Sequence, residues 1–310
     1  MISAEKLDIR FDGQDASLPI LGKPRESRNA VVYHSRHARF GGEVAVKRVL
    51  HDADSGVIEQ YDAIRRLNSA FQGADGYRTV KPILVIPESG ILVLEWIDGR
   101  SLQELLFDQA TTYDQAVAYV ERAARWLSIF HRTEVLPPCP LSCESLVKRL
   151  LPSDPVARLH PIRRRIHKLL TDSAPLLAGH DVPQVLVHGD YKPANVLYGD
   201  HETIAIDIAA RHCGPNVADL GHFINCLRMD AYQPRGLRLL RWRGHLAKAF
   251  LAAYVAAGGD VPEPDLTWYR FHQLARLWLY PGKNGRRGAS LALGPCILLE
   301  MASLGRRLKP

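Results

Sequence analysis

The chain has 310 residues, 46% hydrophobic and 24% charged, a balance that fits a folded globular protein and excludes a disordered one. A chain this long exceeds what one compact core usually fills, so two lobes sharing an interface are expected. The formal charge of +7 is uneven: from Asp219 to Pro310 there are 14 Lys and Arg against 6 Asp and Glu, a net +8, and the rest is nearly neutral.

In chain order, the first hundred residues read mainly as strands. Ala30 to His34 and Glu43 to Leu50 are β-rich runs separated by Gly41-Gly42, which predicts a hairpin. Gly56 to Ala70 carries Val57, Tyr61, Ile64 and Leu67 at helical spacing. Thr79 to Ile86 and Gly90 to Ile97 read as two further strands, turned by Pro87-Glu88-Ser89-Gly90. From Ser101 onward helices dominate: Tyr113 to Thr133 is amphipathic, and Ser142 to Leu151 and Pro161 to Leu170 are shorter candidates. Short strands are expected at Val185 to His188, Val196 to Tyr198 and Thr203 to Ile206, with helices again to the C-terminus. The expected fold class is therefore α+β, with a small β-rich N-lobe over residues 1–98 and a larger helical C-lobe over 99–310.

Further classes are set aside by what the chain lacks. The N-terminus has no basic stretch leading into an apolar run, so no secretory signal is expected. Ala289 to Leu304 contains Pro295 and Glu300 and falls short of the ~20 apolar residues of a membrane span. Cys139, Cys143, Cys213, Cys226 and Cys296 are odd in number and have no framework spacing, which favours reduced thiols in the cytoplasm. The basic C-terminal part would attract anions, but no nucleic-acid motif accompanies it.

The strongest chemical signal is His188-Gly189-Asp190-Tyr191-Lys192-Pro193-Ala194-Asn195-Val196-Leu197, followed by Ile206-Asp207-Ile208. Phosphoryl transfer needs a carboxylate near the attacking hydroxyl and oxygen ligands for the metal that bridges the phosphates. Asp190 can supply the first, and Asn195 with Asp207 the second. A lysine, Lys47, ends the apolar run Val44-Ala45-Val46, where an ammonium packs poorly unless it has a task.

These residues resemble the catalytic loop and metal-binding aspartate of the protein-kinase-like superfamily. Gly189, where protein kinases carry arginine, makes the string similar to the aminoglycoside and choline phosphotransferase branch. The resemblance implies a protein-kinase-like two-lobed fold and a kinase that uses ATP and Mg2+. By that resemblance Asp190 and Lys192 are catalytic, Asn195 and Asp207 hold the metal, and Lys47 holds the α- and β-phosphates, steadied by Glu59 or Asp62. Backbone groups of Glu95 and Ile97 would meet the adenine edge. The glycine-rich phosphate loop is a departure: Gly22 to Asn29 keeps one glycine, so Ser27 and Arg25 or Arg28 would contact the phosphates instead. The glycine of the metal-binding motif is also missing from Asp207-Ile208-Ala209.

Spacing favours the small-molecule branch. The helix ending at His131 lies 57 positions before His188, room for a helical insertion that would build an acceptor site. Gly214 to Leu220 resembles that branch's segment in which an aspartate, here Asp219, braces the catalytic loop. The expected acceptor is a hydroxyl on a small molecule, sugar or glycolipid, and the basic charge favours an anionic one. Ala289 to Leu304 with its basic end leaves room for a peripheral contact with the inner face of a membrane. A nucleotide-binding pseudokinase scaffold and an atypical protein serine/threonine kinase are the alternatives.

Overall fold

A computed structural model describes residues 6–11, 14–26, 30–50, 53–150, 161–177, 179–199, 201–209, 212–280 and 287–308. The chain forms two compact units, Met1–Arg100 with Leu197–Arg211, and Ser101–Val196 with His212–Pro310.

In the first unit, β1 (Lys6–Phe11) and β2 (Gln14–Pro19) form an antiparallel pair. There follow β3 (Arg25–Glu26), β4 (Ala30–His37), β5 (Gly42–Val49), the helix α1 (Ala53–Ala70), β6 (Tyr77–Thr79), β7 (Pro82–Ile86) and β8 (Ile91–Glu95). Strands β3-β4-β5-β8-β7, in that order, make one antiparallel sheet. Hairpin, helix and hairpin thus follow one another as expected. The run read as one strand from Thr79 to Ile86 is split, because Val80 leaves the ladder to pack with Ile64 of α1 and Leu92.

Alternation along β5 decides what its faces do. Val44 and Val46 are buried with Leu7, Ile9 and Leu18 of the β1–β2 pair and with Ile86, Ile91 and Val93. Each such side chain stabilises the fold by about 1.5–3 kcal/mol when fully buried. Ala45 and Lys47 point to the opposite face, beside their ladder partners Leu94 and Leu92, which pack with α1. Lys47 therefore stands on the helix-covered side of the sheet.

The second unit begins within β9 (Arg100–Ser101), at Ser101. Ser101 caps α2 (Leu102–Phe107) in a reciprocal box with Glu104, and Thr112 caps α3 (Tyr113–His131) in the same way with Gln115. Next come β10 (Val135–Pro140), α4 (Cys143–Leu150), α5 (Pro161–Ser173) and β11 (Asp181–Leu186). The chain then re-enters the first unit with β12 (Val196–Tyr198) and β13 (Thr203–Ala205), and β13 pairs in parallel with β6. Gly99 is required there, since a Cβ at that position would lie 2.8 Å from the Tyr198 carbonyl oxygen.

Returning to the second unit, β14 (Cys213–Pro215) completes a small antiparallel sheet with β10 and β11. Four helices follow: α6 (Val217–Asp230), α7 (Arg243–Ala256), α8 (Glu263–Leu279) and α9 (Arg287–Arg307). Helices α4, α5, α8 and α9 enclose a core that includes Val147, Leu170, Trp268 and Phe271. Ile297, Met301 and Leu304 of α9 are buried in that core, while Leu299 is exposed. Among the described residues no helix is long and apolar enough to cross a membrane, and no cluster of His, Cys, Asp and Glu could hold a metal ion.

Candidate active site

The string that begins at His188 lies on the loop that leaves β11. Gly189 adopts φ 87°, a left-handed conformation that a side chain disfavours. This backbone accounts physically for glycine where protein kinases carry arginine. The loop is gripped from behind by Asp219 in the first turn of α6. Its carboxylate accepts the main-chain N–H of His188 at 2.7 Å and of Gly189 at 3.0 Å. His131, at the end of α3, places Nε2 3.1 Å from the same carboxylate and Nδ1 2.8 Å from the Tyr254 hydroxyl. Burial would raise the Asp219 carboxyl, but the His131 bond and charge outweigh it and hold the pKa below the usual range. The bracing implied for Asp219 is thus realised atom by atom.

Below the loop lie stacked rings. Tyr191 is buried, with its hydroxyl donating to the Ala123 carbonyl at 2.7 Å and its ring stacked on Trp126 and Phe223. The His188 ring meets Trp126, Phe130 and Tyr191 edge-on or tilted. The loop is consequently part of the core of its unit.

The Asp190 side chain is about one-third exposed and is met by three groups. Lys192 Nζ donates to Oδ2, and Asn195 Nδ2 donates to Oδ2 at 3.0 Å and to the Asp190 carbonyl at 2.9 Å. The third group is His222 of α6, whose Nε2 lies 3.1 Å from Oδ1. Burial works to raise the Asp190 carboxyl, yet the bonds and charges of His222 and Lys192 hold it far below the usual carboxylate range. Burial works to lower the His222 imidazole, but Cys226 and Asp190 push it up to about 10. Asn195 is buried and spends its amide nitrogen on Asp190.

In the first unit, Lys47 Nζ donates to Asp207 Oδ1 at 2.6 Å. Asp207 follows β13 and is half exposed, with φ 61°, the only non-glycine residue in the left-handed region among those described. Such strain concentrates at functional positions. The structure does not bring Glu59 or Asp62 to Lys47: both are exposed on α1. The helix side chain that faces this region is the next one along from Glu59, Gln60, which is buried and donates to the Ile208 carbonyl at 2.7 Å.

Glu95 ends β8. Its side chain accepts from Arg78 and from the Lys81 N–H, and its own N–H donates to the Lys81 carbonyl at 3.0 Å. Trp96, just beyond, lies flat against His34 with ring centroids 3.6 Å apart. Ile97 is half-buried after the strand end. Ser27 and Arg28 lie outside the described residues.

Asn195 and Asp207 offer amide and carboxylate oxygens, the hard donors that magnesium takes. Asn195 belongs to the second unit and Asp207 to the first, and each by itself is a donor of the type that Mg2+ takes.

Comparison with known proteins agrees with this local geometry. Residues 29–272 match the phosphotransferase enzyme family, APH. The chain belongs to that family. It is accordingly a kinase-type phosphotransferase with the protein-kinase-like fold. A solved glucosamine kinase superposes with a TM-score of 0.61 at 17% identity, covering 97% of this chain and 80% of that one. Choline kinase LicA from Streptococcus pneumoniae gives 0.59 at 16% identity over 93% of this chain and 94% of the other. Amicoumacin kinase hAmiN, solved with AMP-PNP and Ca2+, gives 0.57 at 17% identity over 94% and 90%. No functionally curated protein matches the chain. The resemblance to this family and the fold class follow from these findings.

His222 and Gln60 were not singled out from the sequence. The signal available for His222 is its place three residues after Asp219, on the same face of a helix.

Proposed function

We propose that this phosphotransferase moves the γ-phosphoryl group of ATP, in a magnesium-dependent reaction, to a hydroxyl of a small-molecule, sugar or glycolipid acceptor. The observation that carries the reading is the anchoring of Asp190, partly exposed and surrounded by Lys192, Asn195 and His222. The acceptor oxygen bonds to the γ-phosphorus, the bond to the β–γ bridging oxygen breaks, ADP departs, and the hydroxyl proton passes to Asp190. A carboxylate of such low basicity suits a role that orients the hydroxyl first and takes its proton late. General base assistance of this kind contributes roughly 100- to 10,000-fold.

The remaining roles follow from chemistry. Lys47 binds the α- and β-phosphates, in the unit with Glu95 and Ile97, whose backbone would meet adenine. Lys192 lends positive charge to the transferring phosphoryl group. Asn195 Oδ1 and Asp207 would hold Mg2+, which neutralises phosphate charge when bound. The net +8 of residues 219–310 favours an acceptor that carries an anionic group. Five free cysteines fit a cytoplasmic site of action.

The test is a thermal-shift titration with ATP and GTP, each with and without Mg2+, beside Asp207→Ala. Ligand at ~100 times its dissociation constant adds about 2.7 kcal/mol of apparent stability. A magnesium-dependent shift that Asp207→Ala abolishes is the expected result. No shift with either nucleotide would overturn the reading and favour a scaffold without nucleotide.

A further inference from the structure

We infer that His222 is a positioning residue that fixes the Asp190 carboxylate so that Oδ1 receives the proton of the acceptor hydroxyl. The inference rests on the proposed role of Asp190 and goes one step further, to a single oxygen.

Each carboxylate oxygen offers two lone-pair sites. Among the described residues, Asp190 Oδ2 already accepts from both Lys192 Nζ and Asn195 Nδ2. Oδ1 accepts only from His222 Nε2, at 3.1 Å. One site on Oδ1 therefore remains for a substrate hydroxyl. Because an ionised carboxylate cannot donate, Nε2 carries the proton of this bond. Cys226, one helical turn further along α6, sets its Sγ 3.7 Å from the same nitrogen.

The placement of His222 is linked to that of the loop. Asp219 and His222 are three residues apart on α6, so both face the same side. Asp219 holds the main chain at His188 and Gly189, and His222 holds the side chain at Asp190. One rigid helix thereby sets both the position of the loop and the rotation of its carboxylate about the Cβ–Cγ bond. Without His222, Oδ1 would lose the one partner it has among the described residues, and the carboxylate could swing about the two donors on Oδ2.

The test measures ADP release from MgATP, with water as the probe acceptor, for wild type, Asp190→Asn, His222→Ala and His222→Gln. Misplacing a reacting group by about 1 Å can cost ~100-fold in rate. The expected result is an inactive Asp190→Asn and a His222→Ala whose kcat falls about 10- to 100-fold with an unchanged KM for MgATP. His222→Gln, whose amide can donate to Oδ1, recovers most of that loss. A His222→Ala with wild-type kcat beside an inactive Asp190→Asn would overturn the role of His222 alone. So would equal losses in His222→Ala and His222→Gln at equal melting temperature. An Asp190→Asn as active as wild type would remove the assignment of Asp190, and this inference with it.

Discussion

The Asp219 carboxylate accepts the main-chain N–H of His188 at 2.7 Å, fully inside the second unit. Because the same carboxylate also serves Gly189 and His131, its removal leaves two backbone donors and an imidazole without an acceptor. Breaking a buried pair in this way costs about 3–5 kcal/mol. Urea unfolding of Asp219→Ala should show a loss of that size, together with loss of phosphoryl transfer.

Gly189 gives a second prediction. At φ 87° a residue with a Cβ costs roughly 1–2 kcal/mol. Gly189→Arg, which would write the protein-kinase form of the motif, should lower the melting temperature and disturb Asp190, the next residue. Equal stability of wild type and Gly189→Arg would show that the loop tolerates another backbone.

Gln60 is the helix side chain tied to the strand end that carries Asp207. Gln60→Leu keeps the volume and leaves the Ile208 carbonyl without that donor, at a cost of about 1–3 kcal/mol. MgATP affinity should weaken in step, measured by calorimetry, since Asp207 is the next residue back. Unchanged affinity and stability would show that this bond holds nothing in place.

Much of this site was legible from the sequence because its parts are local. Asp190, Lys192 and Asn195 lie within six consecutive residues, and Asp207 ends a short apolar run. His222 was not legible, since the face α6 turns to the loop is fixed only when Asp219 docks. Gln60 was passed over because it stands one position from Glu59, and one step on a helix turns a side chain by about 100°. The sheet was readable from the β-rich runs that form β4, β5 and β8, whereas the β1–β2 pair was passed over although Leu7 and Ile9 alternate with Asp8. Strand β10 was hidden by Pro137 and Pro138, which sequence rules assign to sheet edges or to no strand.

Burial of His272 makes stability depend on pH. Burial lowers its imidazole to about 4, only partly offset by its bond with the Leu146 carbonyl. Between about 4 and 6.5 the unfolded chain binds a proton that the folded chain does not, so stability falls as pH drops through that window. The full effect is about 3 kcal/mol. Denaturation from pH 7 to pH 4 should show this slope, and His272→Phe should flatten it.

Cysteine chemistry should separate Cys139 from Cys143. Cys139 is exposed, whereas Cys143 is buried and its thiol is pushed up to about 11, chiefly by burial. The thiolate is the reactive form. Iodoacetamide at pH 8 should therefore label Cys139 in the native protein and reach Cys143 only in denaturant, as read by mass spectrometry.

The stacked rings of Trp126, Tyr191 and Phe223 beneath the catalytic loop have a thermal consequence. Elements bound this deeply into a core cannot open by themselves and exchange their amide hydrogens only when the whole unit opens. The N–H groups of His188 and Gly189 should then be among the slowest in the molecule to take up deuterium. On heating, the loop that carries Asp190 would be lost in the same transition that melts the second unit, and not before it.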